Sequence, residues 1–236
     1  MRIIWTIAKR EFGAYFKSPI AYIVLSAFVG LAGFLFFTRF FLYGNASMEG
    51  FFGNFSWILT FFCPAVAMRL LAEERGTGTI EMLLTLPVTD TQVVVGKFLS
   101  TVGVLAVGLA LTLPYVFTVS RLGSLDAGPV ITSYIGTLLL GSTYLAVGLF
   151  TSAITKNQII ALIVGFLLCL VLFLMDNLYV MAGPTLGPLL QYASPAYHYE
   201  HMARGVIELR NIVYYLTFIS VLLVLSVQVL ESRKWR

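Results

Sequence analysis

Glu73-Glu74-Arg75-Gly76-Thr77-Gly78-Thr79-Ile80-Glu81-Met82-Leu83-Leu84-Thr85-Leu86-Pro87, continued by Val88 through Lys97, is a charged, glycine-broken interruption between two long apolar runs. The first fifteen residues hold three carboxylates, a G-x-G pair, a short apolar stripe and a closing proline. A link between two apolar runs requires none of these, so the segment reads as a surface for another protein to grip. Gly76 and Gly78 permit a sharp backbone break. Thr79 is placed to cap a short helix reaching about Leu86. In that helix Ile80, Leu83 and Leu84 share a face, Glu81 turns away from it, and Pro87 ends it.

The composition around this segment sets the class. Of 236 residues 59% are hydrophobic and 11% charged, and the mean hydropathy is +0.91. Soluble domains carry roughly 25% charged residues. So few charges cannot cover a globule of this size, and lipid is the expected solvent. Several apolar runs reach the roughly 20 residues that cross a bilayer as helix. They are continuous rather than alternating, and backbone groups in hydrocarbon must be satisfied internally. The expectation is an all-α membrane protein in one domain over 1–236, with six transmembrane helices at about 19–38, 54–72, 97–119, 130–154, 158–176 and 212–230.

Local signals fix some helix ends. Ser18-Pro19 reads as an N-cap followed by proline at the first helical position. Thr89 and Gln92 fit a capping box, so the third helix should begin near residue 90. Pro64 and Pro114 fall inside spans and should kink them. No cleavable leader is expected, because the first apolar run follows an amphipathic stretch and lacks a small-residue cleavage site. Cys63 and Cys169 lie in different apolar runs and read as small core hydrophobes.

Basic residues set orientation. Arg39, Arg121, Arg204 and Arg210 fall on one side; the other eleven Lys and Arg fall on the side holding both termini, the 73–96 loop and the Thr155-Lys156-Asn157 turn. That richer side should be cytoplasmic. The net charge of +4 therefore fits membrane orientation rather than a nucleic-acid partner. Residues 1–17 place Trp5, Ala8, Phe12 and Tyr15 with Phe16 on a stripe, while Arg2, Lys9, Arg10 and Lys17 lie largely off it. This suits an amphipathic helix in the headgroup plane. Residues 177–211 carry Gly183-Pro184, Gly187-Pro188 and Ser194-Pro195. They are too broken for two more spans and too apolar for a free loop, so a re-entrant or interfacial outer hairpin is expected, with Ser194 capping its second helix.

Catalytic chemistry finds little support. There is no G-x-x-x-x-G-K-[ST] for nucleotide and no H-E-x-x-H for metal. The two histidines, His198 and His201, read as solvated residues of the outer segment. Gly141-Ser142 has no histidine at membrane depth to pair with, and reads, like Gly136, Gly148, Gly103 and Gly108, as close helix packing. Asp176 reads as an outer helix end.

Glu73-Glu74-Arg75, Gly78-Thr79-Ile80-Glu81, Leu83-Leu84, Pro87 and Lys97 resemble the coupling segment of ATP-binding-cassette (ABC) export permeases of the type-2 class, and the likeness covers the whole chain. Tyr22-Ile23-Val24, Pro64 through Arg69, Asn157-Gln158-Ile159, Tyr197-His198 and Arg204-Gly205-Val206-Ile207 are most similar to the gliding-motility-associated branch. The resemblance implies a permease subunit with no nucleotide site of its own, ATP and Mg being held by a separate cytoplasmic ABC ATPase dimer. The coupling residues would be Glu73, Glu74, Arg75, Gly76, Gly78, Thr79, Ile80, Glu81, Leu83, Leu84 and Pro87. The interfacial helix would act through Trp5, Lys9, Arg10 and Phe12. Asp176, Tyr197, His198 and Arg204 would gate the exit in the outer hairpin. A second permease copy or a relative would complete the channel, with spans one, two and five at the seam. The place would be a bacterial inner membrane with both termini cytoplasmic, and an auxiliary protein with an extracytoplasmic domain could attach. A mechanical or scaffold role without solute transport, and an intramembrane enzyme, are the alternatives.

Overall fold

Helix boundaries follow the local chemistry of the chain. The computed structural model describes residues 2–43, 48–79, 88–122, 126–178 and 183–232. In chain order the helices are α1 (Arg2–Lys17), α2 (Pro19–Tyr43), α3 (Glu49–Gly53), α4 (Phe55–Ala67), α5 (Ala72–Gly76), α6 (Asp90–Ala110), α7 (Leu113–Leu122), α8 (Ala127–Ile154), α9 (Gln158–Leu178), α10 (Gly183–Ala193), α11 (Pro195–Ala203) and α12 (Leu209–Glu231). No strand occurs among the described residues.

The capping box is present in full. Gln92 N donates to Thr89 Oγ1 and Thr89 N to Gln92 Oε1, each at 3.3 Å, and α6 begins at Asp90. Pro19 opens α2, with Ile20 N donating to Ser18 Oγ at 3.4 Å. The third span breaks at Leu111 and Thr112, just before Pro114. Proline there removes a ladder N–H, and the Thr112 hydroxyl donates to Leu109 O at 2.6 Å. Pro64 stays inside α4. Pro195 starts α11 as expected, but Ser194 does not cap it; its hydroxyl donates to Leu172 O of α9 at 3.3 Å.

Six stretches are long and apolar enough to cross a membrane: Pro19–Thr38, Phe55–Gly76, Asp90–Leu122, Ala127–Ile154, Gln158–Asp176 and Leu209–Glu231. The protein is an all-α membrane protein. Helix α8 is its centre, packed against α4, α6, α9, α11 and α12. The sequence explains this choice, because α8 carries the small residues that allow close approach. A methyl at Gly148 would sit 2.6 Å from Ala67 Cβ of α4, and one at Gly141 would sit 2.5 Å from Leu105 Cδ2 of α6. The glycine stripe thus packs elements of one copy. Cys63 and Cys169 are fully buried and unbridged.

The N-terminal helix α1 packs along the start of α6. Part of the stripe expected to face lipid has a protein partner: Phe12 lies over Gly103 and Ala8 is buried, while Ile7, outside that stripe, lies over Gly96. Of that stripe Trp5 is left 69% exposed.

Candidate functional site

The second apolar stretch ends in α5, where the 73–96 connector begins, and three other parts of the chain hold this helix. The chain leaves α4 through a turn at 68–71. The first N–H groups of a helix need acceptors, and Ser152 of α8 provides one. Leu71 N and Ala72 N donate to Ser152 Oγ at 3.0 and 2.9 Å, and the same hydroxyl donates to Met68 O at 3.0 Å. Arg75 is buried, its Nη1 donating to Ala153 O. Gly76 abuts the turn between α8 and α9, where a Cβ would lie 2.9 Å from Lys156 O. After α5, Gly78 takes φ +74°, the sharp left-handed turn that glycine makes without strain.

Ionic groups tie α5 to α1 and α6. Lys97 is 1% exposed, with Nζ 2.7 Å from Glu74 Oε1 and 3.4 Å from Glu11 Oε2. The other Glu74 oxygen is buried without a hydrogen-bond partner. Arg69 grips Glu73 in a two-pronged pair, Nε to Oε2 at 2.8 Å and Nη2 to Oε1 at 3.2 Å, and its Nη1 donates to Ser18 Oγ at 3.1 Å. The Tyr15 hydroxyl donates to Val66 O at 2.8 Å. Burial, and then the Glu11 carboxylate, push its phenol well above the usual range, so it remains a neutral donor. These side chains line a cleft of about 310 Å³ together with Thr77 and Thr79. With Glu11, Glu73 and Glu74 against Arg69 and Lys97, its walls hold one more negative charge than positive.

The structure brings Glu73, Glu74, Arg75, Gly76, Gly78 and Thr79 to this place. It also turns much of their charge inward: Glu74 and Arg75 bond other parts of the chain instead of standing out as a handle. Thr79 bonds Thr77 Oγ1 at 2.9 Å. Ile80, Glu81, Leu83, Leu84 and Pro87, with the helix expected over 79–86, lie outside the described residues apart from Thr79. On α1, Lys9 and Arg10 are exposed, Arg10 pairs with Glu11 at 2.8 Å, and Phe12 meets Phe16 in a tilted pair with centroids 5.0 Å apart.

At the opposite end the four expected gate residues separate into two groups. Asp176 and Arg204 line one cavity of about 540 Å³ with Tyr199 and Glu200, and Arg204 pairs with Glu200 at 2.7 Å. His198 corrects the expectation of a solvated histidine. It is fully buried, with Nδ1 2.8 Å from Asn211 Oδ1 and Nε2 3.0 Å from Tyr192 O. Its ring stacks on Tyr214 at 4.0 Å. α10 engages one ring nitrogen and α12 the other, and the aromatic residues around the ring close it off from solvent. Tyr197 lies beside His198 and His201. Among the described residues no three His, Cys, Asp or Glu side chains stand together as a metal site.

Residues 5–235 match the family described as ABC-2 family transporter protein. No curated protein matches the chain.

Proposed function

The chain belongs to the ABC-2 family of transporter proteins and is the membrane permease component of an ABC transporter, and from that premise we propose that a separate cytoplasmic ATPase works it through the 73–96 connector. The observation that carries this reading is the anchoring of α5 to α6, the end of α8 and the turn after it. A load applied to residues 79–86 passes into α5, and from there into three other elements at once. A connector tied to nothing would absorb the stroke.

On this reading the connector and both termini face the cytoplasm of a bacterial inner membrane. ATP and Mg stay on the partner, and two permease copies, or one with a relative, form the channel. Closure of the ATPase pair draws the two connectors together and rocks the spans at the seam. The exposed apolar face of α9, which includes Ile159, Ile163 and Leu167, supports its place at that seam. The cavity holding Asp176 and Arg204 supports an outer exit. The likeness to the gliding-motility-associated branch supports export coupled to envelope work, and a transport assay on reconstituted complex separates movement of a solute from purely mechanical action.

The direct test is Glu81→Lys. The ATPase should co-purify with the wild-type chain from detergent and be lost from the variant, while membrane insertion is unchanged. Undiminished association would overturn the coupling role of the connector.

A further inference from the structure

Two carboxylates face Lys97, and the farther of them, Glu11, also pairs with the exposed Arg10 at 2.8 Å. A buried ammonium needs a counter-charge, and Glu74 at 2.7 Å provides it. Glu11, at 3.4 Å, is a second carboxylate from a different element. The two partners belong to parts with different work: Glu74 lies in α5, at the base of the connector, and Glu11 lies in α1. Lys97 itself belongs to α6 and sits on the first turns of a span.

Resting on the coupling reading above, we propose that Lys97 is the positioning residue of a two-position joint between the connector and α1, its ammonium passing from Glu74 to Glu11 when the connector moves. A lysine ammonium is a compact charge with three donors on a flexible stem, so it changes partner without a shift of α6. The carboxylate that must let go is the nearer one, at 2.7 Å, and it binds through a single oxygen. Glu74 Oε2 is buried and unpartnered, and an incompletely satisfied carboxylate loses less on withdrawal than a fully bonded one. Glu73 does not oppose the movement through Lys97, because it is gripped by Arg69, four residues earlier on the same stretch. When the connector is drawn away, Glu11 receives Lys97, so the cation is never left buried alone. The second carboxylate, held on its far side by Arg10, is what makes the joint two-positioned instead of fixed.

The test uses the full chain in lipid nanodiscs with spin labels at Thr6→Cys on α1 and Thr79→Cys on the connector, both exposed positions. Cys63 and Cys169 are fully buried and do not compete for label. Glu74→Gln and Glu11→Gln each leave Lys97 one carboxylate, so both variants retain a neutral buried pair and keep the fold. Glu74→Gln should broaden the distance distribution, because Lys97 settles on Glu11 and frees the connector. Glu11→Gln should narrow it, because Glu74 becomes the sole partner. Lys97→Arg should retain a wild-type distribution where Lys97→Met does not. A purely structural cluster would loosen in both glutamine variants, and that result, or two unchanged distributions, would overturn the proposal. With the ATPase present, Glu11→Gln should lower turnover several-fold at unchanged association; wild-type turnover would count equally against the joint. If no ATPase associates with any variant, the coupling reading fails, and the label distances still decide whether Lys97 has two positions.

Discussion

At the residue scale, Ser152 shows how much of the connector's geometry rests on one hydroxyl. It accepts from two backbone N–H groups and donates to a carbonyl. Removing it orphans buried backbone groups, each costing about 1–3 kcal/mol. Ser152→Ala should therefore lower the thermal unfolding midpoint of the detergent-solubilised chain and increase amide exchange at 71–76. An unchanged midpoint would mean that these groups find other partners. Glu73, Glu74 and Arg75 stand out in the sequence because charge is rare in so apolar a chain. Nothing in the sequence marks Ser152, Glu11, Tyr15 or Arg69 as their companions. Those residues come from other elements, and a linear pattern carries no distance between elements. Lys97 left a usable signal: a cation at the head of an apolar span is expensive unless paired, so a buried carboxylate partner could have been sought. His198 left no such signal, since its enclosure depends on Tyr192 of α10 and on Asn211 and Tyr214 of α12 converging on it.

Elements were legible where their cause is local. Thr89 and Gln92 fix the start of α6 through bonds within four residues, and Pro114 marks the break of the third span by the loss of a single donor. Ser194 shows the limit: the same residue type that caps a helix bonds Leu172 instead, since α9 lies close enough to compete. Packing between elements follows the small residues, and it can be tested at one of them. Gly148→Val should force α8 from α4, where even a methyl would meet Ala67; overpacking of this kind costs about 1–3 kcal/mol. Gly13→Ala is the control. It lies in α1 with open space around it, and replacing a helical glycine with alanine gains roughly 0.5–1 kcal/mol. Equal stability of the two variants would mean that the close approach of α8 to α4 contributes little.

For the whole molecule, the number of spans was readable because hydrophobic length is a property of each run alone. The centrality of α8 was not, although its glycine, serine and threonine content is what a helix surrounded by neighbours requires. The outward faces of α9 and α12 are mostly apolar and exposed, as a lipid solvent or a second copy demands. The seating of α1 has a consequence for biogenesis. Translation completes α1 long before Gly96 and Gly103, the two positions over which Ile7 and Phe12 close. The newborn helix must therefore wait, its greasy side unmatched, until the third span has been inserted. A chain truncated after Leu71 should leave α1 open to protease, whereas one extended to Leu122 should shield it. Equal cleavage of both would show that α1 finds its shelter elsewhere.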